Sequence, residues 1–178
     1  MPNAARVLAL FLIFSGLAVV SADAQAPAPG KPGGILRMVL REDLPQGFSI
    51  HETATNSVTW PSMPCYSNLV VYDQTKRLGR METIVPELAE KWSWQDNYRN
   101  LVFFLRKDVK WHDGQPFTSK DVKFTFDTVR EAADAPAKLR INPRKEWYAN
   151  VDAVEAPDAH TVVFRLKRPQ PSLVAMLA

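Results

Sequence analysis

PELAEKWSWQDNYRNLVFFLRKDVKWHDGQPFTSKDVKFTFDTV, residues 86–129, carries most of the fold information in this 178-residue chain. Pro86 suits the first position of a short helix, Glu87 and Glu90 would place acids at its positive end, and Leu88 and Trp92 fall on one face at helical spacing. Two apolar runs, 92–94 and 101–106, flank the polar Gln95-Asp96-Asn97-Tyr98-Arg99-Asn100 and predict a β-hairpin. Asp113-Gly114 marks a tight turn, where glycine accepts a positive φ. Thr118-Ser119-Lys120-Asp121 predicts a capping box, and Val122, Phe126 and Val129 then share the buried face of a helix. The block therefore reads as a helical turn, a hairpin, a tight turn and a capped helix.

Elements on either side follow from the same patterns. Residues 35–41 (ILRMVLR) are nearly continuous in apolar character and predict a strand buried on both faces. A polar loop comes next, with Asp43, Pro45 and Gly47 and then His51-Glu52-Thr53-Ala54-Thr55-Asn56-Ser57. Residues 58–72 should hold one or two helical turns and then a short strand at 69–72. Residues 132–143 break the helix and form a loop, with Trp147 and Tyr148 anchoring its far end. A second hairpin pairs 151–156 with 161–166 about a turn at Pro157-Asp158-Ala159-His160, with Val162, Phe164 and Leu166 facing inward. Ser172 is placed to cap a further helix.

The N-terminus speaks to compartment. Arg6 and the amino terminus precede an apolar run from Val7 to Val20, followed by Ser21-Ala22-Asp23-Ala24, an Ala-x-Ala cleavage site. Residues 1–24 are expected to be a secretory signal peptide with the mature chain starting at Gln25; a retained anchor is the alternative. Residues 25–33 form a Pro/Gly/Ala linker. The lone Cys65 excludes an internal disulfide and lies too far from the signal to carry a lipid anchor. The composition, 46% hydrophobic and 23% charged, is that of a globular chain able to bury a core. A net charge of +3, with bases interleaved among acids, argues against nucleic acid as a partner.

Chemistry-bearing motifs are few. Trp111-His112-Asp113-Gly114 resembles an acid/base or metal pair at first sight, but adjacent strand residues point to opposite faces, and a turn with a packed tryptophan is the better reading. His51, His112 and His160 lack metal-ligand spacing, so no metal site is expected, and the sequence calls for no cofactor. There is no phosphate loop and no nucleophile elbow.

Several collinear segments resemble the signature region of the family 5 solute-binding proteins, the extracytoplasmic dipeptide, oligopeptide and nickel receptors of bacterial ABC importers. They are Val85-Pro86-Glu87-Leu88-Ala89-Glu90-Lys91-Trp92, the run from Phe104 to Gly114, Pro116-Phe117-Thr118 and Asp121-Val122. Gly33-Gly34-Ile35-Leu36-Arg37 and the stretches 154–158, 161–166 and 171–172 are similar to neighbouring parts of the family pattern. The resemblance implies an α/β, periplasmic-binding-protein-like fold of type II, peptide-receptor type. Here that is an incomplete first lobe of β-hairpins and short helices spanning 34–178, with the second lobe absent. It implies a periplasmic, non-enzymatic receptor, monomeric when full length. Such a receptor would close by hinge bending on a peptide, opine-like, sugar or other small polar solute and deliver it to an inner-membrane ABC permease. The alternatives are a truncated remnant and a secreted hydrolase. Loops at strand ends tend to line clefts, and family first-lobe contacts come from the connection after the first strand. His51, Thr53, Thr55, Asn56 and Ser57 are thus the candidate ligand contacts, against the alternative of an ordinary solvated loop.

Overall fold

A computed structural model describes residues 33–35, 37–39, 43 and 47–178. The signal segment and residues 25–32 of the linker lie outside the described residues, and the architecture below is that of residues 47–178.

Two hairpins build the centre. β3 (Ala89–Gln95) and β4 (Asn100–Leu105) form the first, β5 (Val151–Asp158) and β6 (Thr161–Leu166) the second, and they join as an antiparallel sheet in the order β3-β4-β6-β5. Phe103 stands opposite Trp92 on one side and Val162 on the other, and Leu101 opposite Phe164. Inward alternation holds as the sequence predicts: Val162, Phe164 and Leu166 are buried, with Leu101, Phe103 and Leu105 beside them. Trp92 and Trp94 are both half-buried against this core. The β3–β4 turn runs through Asp96, Asn97 and Tyr98 at φ of 49°, 48° and 62°. Asp and Asn tolerate that region. Tyr98 does so against its steric preference, held by its ring against Trp94 at 5.6 Å and by Gln170 N–H donating to its carbonyl at 3.2 Å.

The helix α2 (Ser119–Val129) crosses β5 and β6, burying Val122 and Val129 on the core. Its start is fixed from two directions. The Asp121 carboxylate accepts from Thr118 N–H at 2.7 Å and from the Thr118 hydroxyl at 3.1 Å. Ser119 N–H donates to Ala159 O at 2.9 Å, and the Ser119 hydroxyl donates to Asp158 O, so the β5–β6 turn sets where the helix begins. Replacing Asp121 with alanine removes both acceptor contacts and should cost about 1 kcal/mol, read as a lower denaturant midpoint with unchanged slope. At the tight turn, Gly114 has φ 87°, and Asp113 Oδ1 accepts from Gln115 N–H at 2.9 Å. Trp111 meets Phe117 edge to face at 5.8 Å. The Asp113-Gly114 pair is thus occupied in folding, whereas Trp111, 48% exposed, and His112 face the cavity described below.

α1 (Asn56–Ser62), followed by a 3-10 turn at Met63–Cys65, leads to β1 (Val70–Tyr72), which pairs antiparallel with β2 (Ile84–Pro86). The closing α3 (Leu173–Met176) buries Leu173 and Val174, and Tyr72 donates its hydroxyl to Ala175 O at 3.2 Å. Ser172 precedes α3, but its side chain makes no cap bond.

Two expectations require correction. Residues 86–92 are not helical: Pro86 ends β2, and β3 starts at Ala89. Glu87 and Ala89 N–H both donate to Leu69 O, Leu88 N–H to Asn68 O, and Glu87 Oε2 accepts from Asn68 N–H at 2.7 Å. A single helical turn offers too few bonds to offset nucleation, so long-range pairing prevails. The strand expected at 35–41 is likewise not formed where it can be followed. Ile35, Arg37, Met38 and Val39 are outside any strand, and Ile35 and Val39 are 86% and 91% exposed. A doubly buried strand needs partners on its edges and layers on its faces; no described strand pairs with it. Leu36, Leu40 and Arg41 lie outside the described residues.

Candidate ligand-binding site

The segment 50–57 is more structured than the loop its sequence suggests. Ile50–Glu52 is a 3-10 turn, Thr53 and Thr55 are extended, and Asn56 and Ser57 open α1. Thr53, only 2% exposed, accepts on its hydroxyl from Thr55 N–H at 3.1 Å. Its Oγ1 also lies 3.0 Å from Thr55 Oγ1, which in turn accepts from the Ser57 hydroxyl at 3.2 Å. Three hydroxyls thus form one chain running from the interior to the surface. Asn56 is exposed on the first turn of α1, and His51 is half-buried.

His51 lines a cavity of about 520 Å³, the one member of the five candidates to do so. Its walls are largely apolar, with Leu69, Leu88, Val109, Phe117, Val122 and Phe126 among them, and Asn68, Thr125, Arg144 and Tyr148 contribute polar groups. An apolar pocket with a few convergent polar groups suits a small organic ligand. Burial, and then the nearby Arg144 cation, lower the His51 pKa, so its imidazole is neutral at pH 7 and can both donate and accept. Burial raises the Tyr148 pKa, which keeps its hydroxyl protonated as a donor. Its ring meets Phe126 edge to face at 5.5 Å.

Local pattern reading missed the charged groups that hold this segment. Arg140 donates its main-chain N–H to Glu52 Oε1 at 2.7 Å and its Nε to Oε2 at 2.8 Å; Arg144 donates Nε to Thr53 O at 3.0 Å. Side-chain and backbone bonds from Arg140 bring the Glu52 pKa from 4.5 down to about 2. A depressed carboxylate pKa means that the folded state holds fewer protons than the unfolded one. Its stabilisation is present above pH 4.5 and is lost as pH falls towards 2. Glu52→Gln should therefore lower the thermal midpoint at pH 7 and flatten its decline over that window. Parallel curves for parent and variant would show that Glu52 makes no such contribution.

Among the described residues, no three His, Cys, Asp or Glu side chains converge on a metal position, and no helix is long and apolar enough to cross a membrane.

The hairpin pair crossed by a capped helix belongs to the type II periplasmic-binding-protein fold. MoaA from A. tumefaciens R10, solved in complex with mannopinic acid, superposes with a TM-score of 0.63 at 31% identity, over 74% of this chain and 25% of its own. Residues 83–178 match the family described as bacterial extracellular solute-binding proteins, family 5 Middle. The chain belongs to that family of ABC-importer binding proteins. A Brucella ovis relative, provisionally named as an ABC transporter peptide-binding protein, is 38% identical over 125 residues, 70% of this chain and 21% of its own length. The dipeptide-binding protein of Escherichia coli K12 is 32% identical over 151 residues, 77% of this chain and 27% of its own length. Both curated relatives are binding proteins by name, and the chain spans only 21% and 27% of their lengths.

Proposed function

We propose that residues 34–178 are the first part of lobe one of a periplasmic receptor that captures a small polar solute and passes it to an inner-membrane ABC permease. His51, Thr53, Thr55, Asn56 and Ser57 supply its contacts from this lobe. The observation that carries the reading is a neutral His51 in the wall of the 520 Å³ cavity, followed two residues on by the Thr53–Thr55–Ser57 hydroxyl chain. Hydroxyls and a neutral imidazole donate and accept without fixing the charge of their partner, which fits a family whose named relatives are associated with peptides and with mannopinic acid. Glu52 is committed to Arg140, which donates to both of its carboxylate oxygens.

The experiment is a thermal-shift series on the purified protein with L-alanyl-L-alanine and with mannopinic acid. A ligand at a hundred times its Kd adds about 2.7 kcal/mol, a shift of several degrees. No shift with either compound would contradict the assignment to this solute class. Export is checked by sequencing the N-terminus of protein recovered from the periplasm, which should begin at Gln25 after cleavage behind Ala24.

A further inference from the structure

Secondary structure alone does not fix where the hydroxyl chain sits. The 3-10 turn has three residues and α1 has seven, both below the length at which helices hold themselves in water. What fixes it lies 88 to 91 residues further on, in the segment 140–144. Arg140 grips Glu52 with three donors, its main-chain N–H, Nε and one terminal nitrogen. Four residues later, Arg144 holds the backbone carbonyl of Thr53, the residue after Glu52, while its guanidinium lies over the Trp147 ring at 5.5 Å. The two partners are unequal: the Glu52 side chain is 8% exposed, whereas that of Arg140 is 75% exposed. A carboxylate this buried stays in place only while its cation is present, and the cation is on the solvent side, where it can be exchanged with little loss of packing.

We propose that Arg140 is a positioning residue for ligand capture, clasping Glu52 so that His51 and the Thr53, Thr55 and Ser57 hydroxyls are held in their binding arrangement. This rests on the reading of residues 51–57 as ligand contacts. Arg144 is the second point of the clasp. Two anchors on successive residues, Glu52 and Thr53, fix direction as well as position, which one ion pair would leave free to swivel. Pre-ordering of this kind lowers the entropic cost of binding without adding a contact to the solute.

The test uses Arg140→Met, which keeps an unbranched stem without the cation, and Arg140→Lys, which keeps the charge but loses the fork. Backbone amide exchange is followed by NMR. In Arg140→Met, the amides of residues 54–57 should exchange about tenfold faster, while those of Leu101 to Leu105 and Val162 to Phe164 are unchanged. Arg140→Lys should fall between the two. Unchanged exchange at 54–57, or equal acceleration in β4 and β6, overturns the clasp, the second because it would report global loss of stability. In parallel, whichever of L-alanyl-L-alanine and mannopinic acid stabilises the parent protein should bind Arg140→Met about tenfold more weakly. Equal affinity overturns the positioning role. If neither compound binds, the functional reading of the segment fails, and the exchange measurement still decides whether the clasp orders it.

Discussion

Replacing Phe164 with alanine should remove about 4 kcal/mol of stability, a large part of what a domain of this size possesses. Phe164 is fully buried on β6 and is the ring on which two others rest. Phe103 of β4 meets it edge to face at 5.8 Å, and Phe126 of α2 does so at 4.8 Å. Sheet and helix therefore share this one side chain. Truncation leaves a void bounded on one side by a hydrogen-bonded ladder, which cannot close in, so both the transfer and the cavity costs are incurred. Phe164→Leu, which refills much of the volume, should lose far less. Urea unfolding followed by tryptophan fluorescence measures both, and a loss for the alanine variant no greater than for leucine would show that the ring is not the joint described.

Asp127→Ala should be the next most damaging change, at about 3 kcal/mol. Asp127 sits in the last turns of α2, only 2% exposed, and its Oδ1 accepts from Arg130 Nε at 3.1 Å and from an Arg130 terminal nitrogen at 2.8 Å. Its Oδ2 pairs with Lys123. Arg130 reaches on to Asp152 O of β5 at 3.0 Å, so the carboxylate orients the arginine that ties the helix end to the sheet edge. Without it, Arg130 keeps its charge at 16% side-chain exposure with no anion to match. Lys123, 39% exposed, can turn to solvent and adds little to the cost. Asp127→Asn, isosteric but uncharged, should lose less than alanine. Equal losses for the two would place the whole contribution in the charge.

What the chain discloses in advance divides along contact distance. The hairpins, the Asp113-Gly114 turn and the Thr118–Asp121 cap are decided by neighbours within a few residues and all formed, although Pro157 and Asp158, read as turn, extend β5 instead. Residues 86–92 carry an equally good local helix signal and still became the end of β2, a bend and the start of β3. The deciding bonds go to Asn68 and Leu69, outside any window that local spacing can inspect. The candidate site shows the same limit more sharply. Its polar residues are visible as a cluster at 51–57, but the inward turn of Thr53 depends on contacts with Arg140 and Arg144, as does the commitment of Glu52. Nothing in the spacing of those two arginines points to residues 88 and 91 positions earlier. The family match covers residues 83–178, which hold the two hairpins and α2, and the candidate segment precedes it.

The central claim is that the segment 51–57 meets the solute while the paired hairpins serve folding. An amide chemical-shift titration of the purified protein with whichever of L-alanyl-L-alanine and mannopinic acid stabilises it addresses both halves at once. The account predicts saturable shifts concentrated at His51, Thr53, Thr55, Asn56 and Ser57, with the amides of Leu101 to Phe103 and Val162 to Phe164 unmoved. Shifts centred on those β4 and β6 amides, with 51–57 silent, would contradict it.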